Sequence, residues 1–413
     1  MNTSTGSGIG ERPGSGIEEG VTTYFAPGRI EVLGKHTDYA GGNVLVCAVD
    51  RGVTARVTPA DEGIRATTSA LPGEVDLDPE HSVELPAGHW GRYLNSVVQR
   101  LSRNFGPLSP CRIAVESNLP LASGMSSSSA LVVATSMALV RHNGLDGTDL
   151  WRANITTDVQ LASYLACVEN GKTFGTLAGS GGVGTLGGSE DHTAMICSRE
   201  GELGQFTFNP PGLVRRVALP ADLSFVVLVS GVAAEKTGAA LGGYNQASLN
   251  ATEVLRRWNA EGHDHPNLAA ALASGPDAAE RLTALVAADA TLAARLHQYV
   301  VESTEVVPGV VEALARDDRA EIGRLVALSQ SLAGSGLANQ VPQTEALVRL
   351  AVGLGAVAAS SFGAGFGGSV WALAETDRAE DFAVQWLAAY ADEFPQEAAR
   401  ATTMVTRPAC PAR

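Results

Sequence analysis

The chain is poor in lysine, in cysteine and in long apolar runs, and each shortage removes a class of protein. Lysine occurs only at Lys35, Lys172 and Lys236, and the formal net charge of the 413 residues is -15. Such a chain has no clustered positive charge with which to grip nucleic acid or an anionic membrane. The five cysteines, Cys47, Cys111, Cys167, Cys197 and Cys410, are odd in number and scattered. With no CxxC pair and no ligand-like histidine spacing, they argue against a disulfide framework and a zinc site. Apolar stretches such as residues 351–357 are short and broken by glycine, far from the run of about 20 that spans a bilayer, and the start has no basic-then-apolar signal. The expectation is a cytoplasmic protein that meets neither nucleic acid nor membrane, as a monomer or weak homodimer.

What is present is a globular composition, 45% hydrophobic and 18% charged, in a chain long enough for one large or two ordinary domains. Residues 1–20, rich in Gly, Ser and Glu, read as a flexible leader. Short apolar strands are predicted at Thr22–Phe25, Val44–Ala48, Val53–Val57 and Arg112–Glu116, with helical patterns at Tyr93–Leu101 and Ala130–Val140. A strand at Ser224–Val229 opens a second half of Ala/Leu/Arg-rich helices that ends on a strand at Ser369–Ala374, and 263–275 reads as a loop. The class is α+β in two domains, 21–215 and 216–405, parted near Pro210, Pro211 and Gly212.

Three glycine-rich segments carry the chemistry. Residues 28–42, GRIEVLGKHTDYAGG, set Arg29, Lys35, His36 and Asp38 between glycines in an otherwise apolar, strand-like stretch. No packed core needs that mixture. Residues 119–133, LPLASGMSSSSALVV, place a glycine and four serines at the start of a helix, where backbone N–H groups, hydroxyls and the helix dipole can converge on an anion. A merely well-capped helix is the plainer reading of that segment alone. Residues 360–374, SSFGAGFGGSVWALA, lead into a strand. Two other patterns mislead. Gly363/Gly365/Gly368 and Gly182/Gly184/Gly187 both satisfy GxGxxG, yet neither follows a strand and opens a helix. Gly171-Lys172-Thr173 resembles the end of a Walker A loop, but Ala166 stands where its first glycine is required.

Together, in this order and spacing, the three segments resemble the motifs of the GHMP kinases, and GKHTDY resembles the GEHTDY of galactokinases. The resemblance implies an α+β, two-domain fold with the active site in the interdomain cleft, and transfer of the γ-phosphoryl group of ATP to a sugar, at the anomeric hydroxyl. It implies that Ala122, Ser123, Gly124, Met125, Ser126, Ser127 and Ser128 wrap the ATP phosphates, with Ser128 and Glu169 holding Mg2+. Arg29 would stabilise the transferring group, and Asp191, in GGSEDHTAM, would orient the acceptor hydroxyl and take its proton. Glu190 and His192 replace the family's usual Met and Gln beside it, and either could be the base. Lys35, His36, Thr37, Asp38 and Tyr244 fall at sugar-binding positions; Arg295, Glu302 and 341–347 are weaker matches.

Lys35 departs from the family's glutamate. A cation there would favour an acidic sugar such as a uronic acid, whereas a lysine turned out of the pocket would leave a neutral sugar such as galactose. A sugar sensor without useful turnover is the alternative from another class, kept open by the unusual 175–192 loop.

Overall fold

The computed structural model describes residues 20–86, 88–120, 123–232 and 239–413, the side chains of 239–241, 243 and 244 excepted. The leader before Gly20, Ala122 of the serine loop and the side chain of Tyr244 therefore lie outside the described residues.

Eleven strands are described: β1 Thr22–Leu33, β2 Asn43–Pro59, β3 Ile64–Thr68, β4 Leu71–Leu77, β5 Cys111–Ser117, β6 Glu202–Phe208, β7 Pro211–Ala218, β8 Leu223–Val229, β9 Ala358–Phe362, β10 Ser369–Glu375 and β11 Thr402–Thr406. The first seven form one sheet in the order β4-β3-β5-β2-β6-β7, with β1 pairing β2; the last four form a second sheet, β11-β8-β10-β9. The predicted strands at 44–48 and 53–57 are two parts of β2, which runs long enough to pair with β1, β5 and β6 in turn. Pro210, Pro211 and Gly212 fall at the β6–β7 hairpin, so the passage between sheets lies after Ala218. Helix Leu268–Leu272 occupies the middle of the expected loop 263–275, capped by the Asn267 side chain. Beyond β10, β11 adds one further strand, pairing with β8.

β1 is interrupted by register shifts between Pro27 and Arg29 and between Glu31 and Leu33. Such irregularities re-aim side chains, and here they occur at the polar residues of the first motif. Helix Ser127–His142 is buried over most of its length between β1, β2 and its helical neighbours, as its central Ala/Leu/Val run requires. The second sheet buries one face against helices Pro342–Gly353 and Ala379–Glu393. A third cluster, built on helices Ala239–Ala260, Leu268–Leu272 and Ala290–Val301, packs against Ala40 and Tyr39 at the end of the first motif. This contact sets the HTDY turn between the two halves of the chain. All five cysteines are free thiols, and no described helix is long and apolar enough to cross a membrane.

Candidate active site

The three motifs meet at one cavity, whose lining includes Arg29, Glu31, His36, Asp38, Ser129, Glu169, Glu190, Asp191, Gly363 and Ala364. Arg29 is 2% exposed. Its Nε donates to Asp191 Oδ1 at 2.7 Å and its Nη1 to the Gly124 carbonyl at 2.7 Å. Burial works against the guanidinium's charge, but Asp191, Glu190 and Glu31 outweigh it and the net displacement of its pKa is upward. The other Asp191 oxygen lies 3.4 Å from the Ser129 hydroxyl.

The serine loop turns through left-handed backbone at Gly124 (φ +74) and Ser126 (φ +57) before the helix begins at Ser127. Alternating hands of backbone point successive N–H groups inward, as an anion cradle requires. The Ser123 and Ser126 hydroxyls are buried with no hydrogen-bond partner among the described residues. Met125 is fully buried, so its side chain serves the core while its carbonyl accepts from Arg29 N–H at 3.3 Å. The third motif closes on this loop. A Cβ at Gly363 would stand 2.8 Å from the Gly124 carbonyl oxygen, and Gly363 already has φ +79; glycine is required there on both counts.

Neighbouring residues of the first motif face opposite ways. His36 and Asp38 line the cavity, whereas Lys35 and Thr37 do not. Lys35 is 1% exposed and its Nζ donates to Ser329 Oγ at 2.9 Å and Ser360 Oγ at 2.7 Å. Ser329 in turn donates to Glu302 Oε1, which also accepts from Gly34 N–H. The ammonium expected to meet the sugar is thus in the interior, where burial lowers its pKa and Glu302 and Glu31 oppose that effect. Thr37 is likewise structural: its hydroxyl lies 2.8 Å from the carbonyls of Gly34 and Asn43. The turn is braced from behind by Arg295, whose Nη2 donates to the His36 carbonyl at 2.6 Å.

Glu169 reaches the cavity and stands 3.3 Å from His192 Nε2, both side chains buried. Glu169 Oε1 has no hydrogen-bond partner among the described residues, which suits a hard cation's preference for an available carboxylate. Ser128 is partly exposed at the helix start and does not line the cavity, whereas the adjacent Ser129 does. The 175–192 loop forms the facing wall through Thr185, Gly187 and Gly188. It is tied down by Val183 N–H to the Glu169 carbonyl at 2.8 Å and by Leu186 N–H to Asn245 Oδ1 at 3.3 Å.

Glu31 was not singled out by the sequence, and Glu190 only as an alternative base. Both line the cavity and both are buried. Glu31 Oε2 accepts from Gly363 N–H at 2.7 Å. Burial pushes its carboxyl up to about 7, against the pull of Arg29 and Lys35. Glu190 is raised well above the usual carboxylate range by burial, then by Glu31 and Asp38. Their signal was a glutamate inside an apolar strand and one at the start of a buried helix.

The chain matches the GHMP kinases N terminal domain over residues 92–174 and the GHMP kinases C terminal domain over 310–392, and a galactokinase galactose-binding signature over 15–59. These matches together take in about half of the chain, and it belongs to the GHMP kinase family. Within that family it is a galactokinase-like sugar kinase. It is 27% identical to the galactokinase of Haemophilus influenzae, across 87% of this chain and 86% of that one. The galactokinase of Chloroflexus aggregans is also 27% identical, across 89% and 87%. The fold matches that of Lactococcus lactis galactokinase complexed with galactose, with TM-score 0.78 and 21% identity over 95% of each chain. It matches more distantly the mevalonate kinase of Methanococcus jannaschii, with TM-score 0.57 and 14% identity over 94% and 98%.

Proposed function

We propose that the protein transfers the γ-phosphoryl group of ATP to the anomeric hydroxyl of a hexose of the galactose type. The observation that carries this reading is the Arg29–Asp191 pair, 2.6 Å at its closest, with Arg29 buried and Asp191 partly open to the cavity. Asp191 accepts the proton of the sugar hydroxyl as that oxygen bonds to the γ-phosphorus. The bond from phosphorus to the bridging oxygen breaks and ADP leaves with the electron pair. Arg29 balances charge on the transferring group and keeps Asp191 ionised. Asp191 is a better base than its neighbours: Glu190 is held towards its protonated form, and His192 faces Glu169.

ATP phosphates would lie along Ser123–Ser128. Magnesium would be held by Glu169 with Ser128 or Ser129, and when bound it spreads the phosphate charge. His36 and Asp38 would meet the sugar hydroxyls. The acidic-sugar reading loses its support, since it stood on a Lys35 ammonium that faces Ser329 and Ser360. An ADP-release assay with ATP and magnesium over a panel of neutral and amine-bearing hexoses tests the proposal. Turnover that Asp191→Asn abolishes while ATP still binds is expected; ATP binding without turnover of any sugar would overturn it in favour of a sensor.

A further inference from the structure

The cavity is rich in carboxyl groups. Five line it, those of Glu31, Asp38, Glu169, Glu190 and Asp191, with the guanidinium of Arg29 beside them. Lys35, the one lysine of the first motif, is directed away into the interior. Arg29 is already committed to Asp191 and Gly124, and Glu169 stands beside His192. Glu31 and Glu190 remain without a cationic partner in direct contact. Glu190 Oε1 in particular is buried with no hydrogen-bond partner among the described residues, although its side chain is only 6% exposed and borders the cavity.

Two carboxyls set together in a buried cavity that must also receive anionic phosphates are unfavourable unless something offsets them. A neutral hydroxyl can donate one hydrogen bond but brings no charge. An ammonium brings three donors and a positive charge that favours the ionised form of both carboxyls. Resting on the sugar-kinase reading, we propose that the preferred sugar carries an amine, held as its ammonium between the carboxylates of Glu31 and Glu190.

The geometry supports selection by charge at these two residues. Glu31 is fixed by the Gly363 N–H bond at 2.7 Å, and Glu190 begins a helix whose first N–H donates to Asp38 Oδ2 at 3.1 Å. The Glu31 carboxyl is thus held by the third motif and the Glu190 backbone by Asp38, so a ligand amine would meet one fixed carboxyl and one whose Oε1 is still unpartnered among the described residues. The pKa of both groups is raised, first by burial, and an ammonium beside them would pull it back down.

The test is initial-rate kinetics of the wild-type enzyme with galactose and its 2-, 3-, 4- and 6-amino-deoxy analogues at pH 7, with the N-acetyl forms as uncharged controls. One amino sugar should exceed galactose at least tenfold in kcat/KM, its N-acetyl form should not, and the ratio should fall towards one in Glu190→Gln and Glu31→Gln. A wild-type preference for galactose over every amine overturns the proposal and leaves the kinase reading standing. Turnover of no sugar at all overturns both. A preference that survives both substitutions overturns the assignment to these carboxylates, and if neither variant folds, the wild-type comparison of amine with N-acetyl decides.

Discussion

Arg29 Nη1 stands 2.7 Å from the carbonyl oxygen of Gly124, so the guanidinium that holds Asp191 also pins the serine loop. One side chain thereby ties the proposed base to the loop proposed to hold the phosphates. A lysine ammonium donates from one nitrogen and lacks the planar fork whose separate nitrogens reach Asp191 and the Gly124 carbonyl. Arg29→Lys should lower kcat by about 10²-fold or more and raise the KM for ATP, with an unchanged melting temperature as the check that the fold survives.

Lys35 should matter to stability and not to choice of sugar. Lys35→Met leaves Glu302, which is fully buried, without the charge that reaches it through Ser329, and should cost a few kcal/mol, on the order of a buried polar group left unsatisfied. Urea unfolding of Lys35→Met, Glu302→Gln and the double variant should show the double variant more stable than the sum of the single losses predicts. The ratio of kcat/KM between sugars should match wild type in every variant that folds.

The pH dependence of stability has a definite sign. Glu31 titrates at about 7 in the folded protein against an ordinary value of 4.5. A raised carboxyl contributes stability fully below the unfolded value and loses it as pH rises through the folded one. In the absence of ligand, wild type should lose on the order of 2–3 kcal/mol between about pH 4.5 and 7 from this group. Scanning calorimetry of Glu31→Gln over the same window should show a flatter profile. A wild-type curve that gains as much stability as the variant's would contradict the burial of an ionisable Glu31.

Gly363→Ala should be damaging well beyond the loss of a flexible residue. The new methyl group would meet the Gly124 carbonyl at 2.8 Å with φ at +79, so the two glycine-rich loops must separate. A loss of about 1–3 kcal/mol and a several-fold higher KM for ATP are expected, read from thermal unfolding and nucleotide titration.

The strands and helices near the motifs were legible because their apolar periodicity is local, and Arg29, His36, Asp38, Glu169 and Asp191, which share one cavity, stood out because their residue types make little sense in a core. Lys35 and Thr37, which do not line the cavity, were harder to place for a physical reason. Whether a side chain in a short turn faces a cavity or the interior depends on what packs behind it, and Ser329, Ser360 and Glu302 lie some 300 positions away with no spacing to reveal them. Glu31 was hidden in a strand whose register shift, set by its pairing with β2, turns it into the cavity. The β6–β7 hairpin was missed because consecutive prolines signal a turn without saying whether the chain leaves the sheet or returns to it.

The bond from Gly363 to Glu31 joins residues 332 positions apart. During synthesis the first motif therefore emerges long before the segment that completes it, and spends that interval with two acidic side chains and no lid of glycines. The cavity would then be completed late and at once, when β9 and β10 join the second sheet, and a truncated product lacking that hairpin would carry the first motif without the glycine that binds Glu31.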